Sequence, residues 1–401
     1  MNAIIFVSFF LFFTAVNLFF KSEKGKQLIQ TDKNFLYIGI AIVAVQILSA
    51  ALYKQQIIDV FLFSDAGHYL RQKIDYYWID SAHDKYPFFP FLIFHFAILD
   101  WVTEVIPKLN FMFLIKLSLV PALLVLANWV KKKSANIQIG KAQFLDLLTS
   151  PISYAIIYFH GQIDVILIAF FVVSMEYWHK KPITMKTTLV GAILYAASVA
   201  SKTWSILFAP IIFWYHKKST YTYVFFITTA VLLFGNIFGY TRYVFGSSIR
   251  TVLPALIKPG GQLGNWGITL IPQFLPFITQ NKLLVYAALI FLGYVFLLRK
   301  KLEFWQAITL FMFWLYIVAI HWAVQYLFWA LPFIIMNKKW LGEKWSNLFL
   351  ALSTIYVFMV YVDISSLREI FVKDLVNFFG IFLWLLVVYK FCNKLQKNKS
   401  D

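Results

Sequence analysis

Apolar runs long enough to cross a lipid bilayer recur along this sequence, and they leave its backbone few choices. They extend from Ile4 to Phe20, from Phe35 to Tyr53, from Phe111 to Val130, and onward to the segment from Leu375 to Val388. A helix needs about 20 such residues to cover ~30 Å of hydrocarbon. Lipid leaves no water for an open backbone, so helix is the expected class. The short alternating strands of an outer-membrane barrel are missing from the pattern. With 61% hydrophobic and 13% charged residues, the chain has roughly half the charged share of a soluble domain and is not a water-soluble globule. The expected fold is an all-α polytopic transmembrane protein, a single integral membrane domain over residues 1–401.

Charge then orients the runs. The formal net charge is +18, which invites a nucleic-acid partner, but the lysines form short clusters between apolar runs and no continuous stripe. Positive-inside bias accounts for them and no nucleic acid is expected. The clusters at Lys21–Lys33, Lys131–Lys141, Lys180–Lys186, Lys217–Lys218, Arg299–Lys301, Lys338–Lys344 and from Lys390 onward are therefore placed in the cytoplasm. The first run is followed by Lys21, Lys24 and Lys26 with no basic residue ahead of it, so it reads as a retained helix with its N-terminus outside. About 11 to 13 membrane helices close this topology, provided the segment from Phe88 to Ile106 lies in the outer interface and does not cross. Its Asp100 and Glu104 and the flanking Pro87, Pro90 and Pro107 favour that placement. Short segments from Trp204 to Tyr215 with Pro210, and from Trp322 to Met336 with Pro332, read as broken helices inside protein. The lone cysteine, Cys392, excludes an internal disulfide.

Two large loops then face outward, at about 54–109 and 240–281. The first is crowded with groups that can move a proton: Asp59, Asp65, Asp75, Asp80 and Asp84 beside His68, His83, Arg71, Lys73 and Lys85. Asp59 falls just past the second apolar run, with Asp65 six residues later on an amphipathic helix; either suits a general base or a solvated carboxylate. Asp65 and His68 share a helix face, so a divalent metal is possible, but the missing third ligand disfavours it. Tyr86 opens the chain break Tyr86-Pro87-Phe88-Phe89-Pro90. The second loop carries Arg242, Arg250 and Lys258 against the positive-inside rule, which suggests an anionic partner such as a phosphate headgroup. Its glycine-rich stretch Pro259–Gly267 lacks the following Gly-Lys of a nucleotide loop and reads as a mobile lid.

Three further constellations stand out. His160-Gly161-Gln162-Ile163-Asp164 allows a tight turn whose Gln162 and Asp164 can bond a sugar or brace a catalytic loop; a plain polar turn has the same composition. Lys202 interrupts an apolar stretch, where it binds phosphate or snorkels. His321 and Gln325, four residues apart, are expected on one helical face as a grip for phosphate or sugar, or as an interhelical hydrogen bond.

In order along the chain these pieces resemble the GT-C superfamily of membrane glycosyltransferases that use polyprenyl- or dolichyl-phosphate sugars. They are most similar to the mannosyltransferases that add the first mannose in GPI-anchor assembly and to their bacterial polyprenyl-phosphomannose-dependent relatives. The motifs are Asp59-Val60-Phe61-Leu62-Phe63-Ser64-Asp65-Ala66, then Tyr86-Pro87, then Ser150-Pro151 followed by His160-Gly161-Gln162-x-Asp164. Ser201-Lys202-Thr203-Trp204 with Ala209-Pro210 and His321-x-x-x-Gln325-Tyr326-x-x-Trp329-x-x-Pro332 complete the order. The resemblance implies inverting transfer of a hexose, mannose foremost, from a polyprenyl-phosphate sugar to a hydroxyl of a glycolipid or glycan acceptor at the extracytoplasmic face. It gives the base to Asp59, with Asp65 as alternative base or acceptor guide. Lys202, His321, Gln325 and Arg242 or Arg250 would meet the charge growing on the departing phosphate. GPI-type enzymes carry Asp-x-Asp where this chain has Ile57, so no metal cofactor is required. The expected location is a membrane, multi-pass, and in a prokaryote the cell membrane, with membrane lipids as partners. The rival reading is a transporter or flippase of an anionic lipid-linked sugar, in which the same cations bind phosphate but no proton is abstracted; a noncatalytic scaffold of the same fold is the third.

Overall fold

A computed structural model describes residues 2–53, 58–79, 88–217, 219–246, 252, 255–256, 266, 281–319, 322–366 and 373–397. Every regular element among them is helical, as a chain immersed in lipid requires. In order these are α1 (Asn2–Lys21), α2 (Glu23–Leu28), α3 (Asp32–Leu52), α4 (Ile58–Arg71), α5 (Phe91–Val105) and α6 (Phe111–Lys133). There follow α7 (Ile137–Leu148), α8 (Asp164–Trp178), α9 (Met185–Ser201), α10 (Ala209–His216) and α11 (Thr220–Tyr243). The last are α12 (Lys282–Leu298), α13 (Phe304–Val318), α14 (Leu327–Met336), α15 (Lys338–Leu341), α16 (Glu343–Ser366) and α17 (Lys373–Lys397). A turn at Pro151–Ser153 and a π-helical stretch, Tyr154–His160, join α7 to α8, and a 3₁₀ stretch, Thr203–Phe208, joins α9 to α10.

Six of these helices, α1, α3, α6, α11, α16 and α17, are long and apolar enough to cross a membrane. Shorter apolar helices, of 10–17 residues, lie at Met185–Ser201, Leu283–Leu298, Phe304–Val318 and Val324–Met336. The protein is thus an all-α, multi-pass membrane protein. The 11 to 13 expected crossings exceed the six full-length helices because several apolar runs form helices too short for ~30 Å of hydrocarbon. Helix α5, with 15 residues, reaches about 22 Å, short of the ~30 Å of hydrocarbon.

The described residues cluster in two compact units. The first comprises Met1–Ile42, Val130–Ala155 and Gly261–Asp401. Its α1 buries Phe6, Phe10, Phe13, Asn17 and Phe20, a spacing of three and four that places them on one stripe. Phe13 stacks on Tyr154 at 4.9 Å and Phe10 packs on Phe358 at 5.2 Å. One turn further along the stripe, Asn17 donates from Nδ2 to the Asp146 carbonyl at 3.0 Å, to Asp146 Oδ1 at 3.1 Å and to Thr149 Oγ1 at 3.0 Å. Lys21 adds an ion pair to Asp146 at 3.0 Å. The turn into α2 needs Gly25, since a Cβ there would lie 2.2 Å from the Phe19 carbonyl oxygen.

The second unit comprises Val43–Trp129 and Ile156–Gly260. Here α4 lies against α5, with Phe63 stacked on Phe96 at 4.8 Å. Gly67 makes the close approach, because its Cβ would meet the Phe96 backbone at 2.5 Å. At the far end of this pair Arg71 bridges Asp100, at 2.7 Å, and Glu104. Helices α8, α9 and α11 pack in succession, tied by a Ser174 hydroxyl that donates to the Gly191 carbonyl at 2.6 Å.

The Asn17 contacts are buried, so Asn17→Ala should lower stability by ~1–3 kcal/mol. Lys21→Ala should lower it by less than ~1 kcal/mol, because that side chain is 35% exposed. Thermal unfolding of the detergent-solubilised protein measures both, and a larger loss for Lys21→Ala than for Asn17→Ala would show that the ion pair, and not the amide, is the main tie between α7 and α1.

Candidate functional site

Polar side chains from three separate parts of the second unit converge beside the first turn of α4. Asp59 stands in that turn, one residue after the helix begins. The π-helical Tyr154–His160 ends in a left-handed residue, Gly161, with φ +84°. Glycine alone takes that conformation without strain. A Cβ at Gly161 would also lie 3.0 Å from Val60 Cγ2, so the start of α4 packs directly onto the glycine. The reversal turns both neighbours of Gly161 toward Asp59. Gln162 donates from Nε2 to Asp59 Oδ2. His160 Nε2 lies 3.2 Å from the same oxygen and 3.1 Å from Gln162 Nε2.

Two residues on, Asp164 begins α8 and is completely buried. Lys202 closes α9 in an extended conformation, φ −160° and ψ 127°, and so swings its ammonium to Asp164, 2.9 Å from each carboxylate oxygen. The Phe88 ring covers the same ammonium, its centroid 5.3 Å from Nζ. Burial alone would raise the Asp59 carboxyl; the hydrogen bond and charge of His160, the charge of Lys202 and the hydrogen bond of Gln162 outweigh it and leave Asp59 below the usual carboxylate range. Among the described residues all contacts to this carboxylate go to Oδ2. The side chain is 33% exposed, and no described donor engages Oδ1. Chemically the arrangement is a carboxylate held ionised and fixed through one of its two oxygens.

The structure therefore brings together Asp59, His160, Gln162, Asp164 and Lys202. It does not bring Asp65 to them. Six residues turn a helix through about 600°, which leaves Asp65 ~120° from the Asp59 face. Asp65 has no hydrogen bond or ion pair among the described residues, and burial raises its carboxyl, opposed by the His68 charge. Arg242 is exposed in the last turn of α11. Gln325 belongs to the first unit and sits in a 3₁₀ turn, Val324–Tyr326, after an extended Ala323 with φ −136° and ψ 140°. The helical face expected for His321 and Gln325 is therefore not formed; the helix starts at Leu327 because the chain is extended just ahead of the turn. His321, Arg250 and Tyr86 lie outside the described residues, as do Asp80, His83, Asp84, Lys85, Lys258 and all of the glycine-rich stretch except Trp266.

His68, Asp100 and Glu104 place ligand atoms within 4.8 Å of one another, the only such group of three or more metal-ligand side chains among the described residues. Arg71 already bonds both acids, so an ion there would have to displace a guanidinium. Asp65 is not part of that group. One residue escaped notice in the sequence: Lys116, fully buried in α6, with its ammonium 4.7 Å from the Tyr53 ring centroid. Its side-chain stem would lie 3.6 Å from a Cβ at Gly161, so it backs the turn that aims Gln162. A lysine in mid-helix within an apolar run was the signal for it.

Breaking a buried ion pair from one side strands the other charge. Lys202→Met should cost ~3–5 kcal/mol of stability, read by thermal unfolding in detergent. The double change Lys202→Met with Asp164→Leu should recover most of that loss, and a double variant no better than the single one would remove the buried pair as its cause. No family model, no curated protein and no solved structure matches this chain.

Proposed function

We propose that the chain is an integral membrane glycosyltransferase, transferring a hexose, mannose foremost, from a polyprenyl- or dolichyl-phosphate sugar to an acceptor hydroxyl on a glycolipid or glycan at the extracytoplasmic face. The observation that carries this is the Asp59 carboxylate, with Oδ2 held by Gln162 and His160 and no described donor on Oδ1. The order of motifs along the chain supports the same chemistry.

In the proposed step the acceptor oxygen attacks C1 of the sugar from the face opposite the phosphate. The C1–O bond to the phosphate breaks, its electron pair leaves with the lipid phosphate, and the acceptor's proton passes to Asp59 Oδ1. One displacement inverts the anomeric centre. A carboxylate lowered below its usual range is a weak base, and that suits this reaction. The hydroxyl becomes acidic only as its oxygen bonds to C1, so proton transfer comes late and a weak base that is always ionised suffices. Asp164 engages Lys202 through both of its oxygens, so Lys202 is assigned to keeping Asp59 ionised and not to the donor phosphate. The exposed Arg242 is the described cation of this unit assigned to the phosphate, as a point charge that lowers the cost of the developing anion.

Purified protein supplied with a panel of radiolabelled polyprenyl-phosphate sugars should form a sugar-labelled product, and Asp59→Asn should lower turnover by about 10²–10⁴-fold while the protein stays folded. Full activity of Asp59→Asn would sink the assignment, and donor movement across vesicles without product would favour a flippase. The pH profile gives a second check. Because the folded carboxyl lies below its ordinary value, activity should hold through neutral pH and fall only as pH drops through that lowered value. Removing His160 or Gln162, as His160→Phe or Gln162→Met, should move the acid limb to higher pH, whereas an unmoved limb would separate these residues from the base.

A further inference from the structure

Helix α8 carries Asp164 at one end and a second polar arrangement at the other, about 22 Å away by its length of 15 residues. His179 caps the helix there, and His216 ends α10. Their rings meet Nε2 to Nε2 at 3.2 Å, with centroids 4.7 Å apart and planes at 70°. His179 Nδ1 lies 2.7 Å from the Met175 carbonyl oxygen. A carbonyl can only accept, so Nδ1 carries a proton, and in the neutral ring Nε2 presents its lone pair to His216.

We propose that this pair binds a borderline transition-metal ion, with Zn²⁺ as the type case, at the lysine-rich and hence cytoplasmic side of the second unit. The site is independent of the glycosyl-transfer proposal. Two imidazole nitrogens bound to one tetrahedral zinc at ~2.0–2.1 Å stand about 3.3–3.4 Å apart, so the 3.2 Å separation already has the length of a tetrahedral edge. A ligating histidine almost always donates its second ring N–H to a carboxylate, carbonyl or water, which fixes the tautomer and strengthens the ligand. The Met175 carbonyl does that for His179. Both rings are half-buried, so an ion can reach them, and Trp178 packs beside His216 with centroids 5.0 Å apart, holding its plane.

The proton balance is simple. Without metal, His216 Nε2–H donates to the His179 lone pair. With metal, the neutral His216 carries its proton on Nδ1 instead, both Nε2 lone pairs face the ion, and no net proton is released. Among the described residues no third His, Cys, Asp or Glu completes the set, so water fills the remaining positions and binding is weaker than at a structural zinc site. Lys180, Lys181 and Lys217 oppose a dication as well. Nitrogen donors select against the oxygen-seeking Mg²⁺ and Ca²⁺.

The test uses the full chain in detergent, free of any histidine tag and stripped with a chelator. Calorimetric titration with Zn²⁺ should show one-to-one binding, none with Mg²⁺, and at least about a tenfold rise in Kd for His179→Ala and for His216→Ala. Equal Zn²⁺ affinity in the unaltered chain and both variants, or no binding by the unaltered chain, would overturn the proposal. Should the variants fail to fold, Co²⁺ added to the unaltered chain decides. An intense visible spectrum of tetrahedral Co²⁺, removed by Zn²⁺, supports the site, and the weak octahedral aqua spectrum alone overturns it.

Discussion

The carboxylate of Asp59 sits between two opposing forces, the desolvation that would neutralise it and the donors that keep it charged, and the local structure of the second unit follows from how that contest is settled. Desolvation is the largest single influence on the group, yet His160, Lys202 and Gln162 together overcome it. Each of those three needs its own support. The left-handed Gly161 aims two of them, and only a residue without a Cβ fits both the φ of +84° and the 3.0 Å approach of Val60. The third is held by Asp164, which would itself be intolerable in a fully buried position without a cation. Charge thus passes from a buried pair to a half-buried acid, and the chain provides all of it within a few residues of two helix ends.

Much of this could be read beforehand, for a physical reason. In an apolar chain a polar residue is expensive, so Asp59, the His160–Asp164 stretch and Lys202 stood out against their surroundings, and the structure gathers them. The helical class was equally legible, because lipid permits little else. What escaped was partnership. Lys202 could be placed at a helix end from its sequence, but nothing in the sequence said that Asp164, 38 positions earlier, takes its charge. His179 and His216 are 37 residues apart and meet only because α8 and α10 end side by side. Asp65 is close to Asp59 in sequence but on another azimuth of α4, since six residues along a helix turn it by ~120° from the Asp59 face. The four-residue spacing of His321 and Gln325 presumed a helix, and an extended Ala323 removes that premise.

Lys116 poses the remaining energetic question in the second unit. It lies in a helix long and apolar enough to cross the membrane, fully buried, with its ammonium against the Tyr53 ring and, among the described residues, no hydrogen bond to its nitrogen. An isolated cation at such a depth costs a few kcal/mol, and the ring face returns only part of it. The Lys116 stem walls the back of the Gly161 turn, so its packing bears on the aim of Gln162 even though its charge is not among the influences on Asp59.

Alternating access is largely a rigid-body movement of one helical bundle against another, so rigidity inside the second unit bears on how well a single carboxylate can be aimed and not on whether a ligand is carried. The elements around Asp59 are joined by a doubly engaged, buried ion pair at 2.9 Å, and separating such a pair in a low dielectric costs several kcal/mol. A base for a displacement reaction has to stay in place, since a carboxylate misplaced by ~1 Å loses much of its effect. The pair between α8 and α9, the glycine pressed onto α4 and the two donors on a single oxygen all reduce freedom at Asp59. That is the fixity which the proposed role of Asp59 as a base would require.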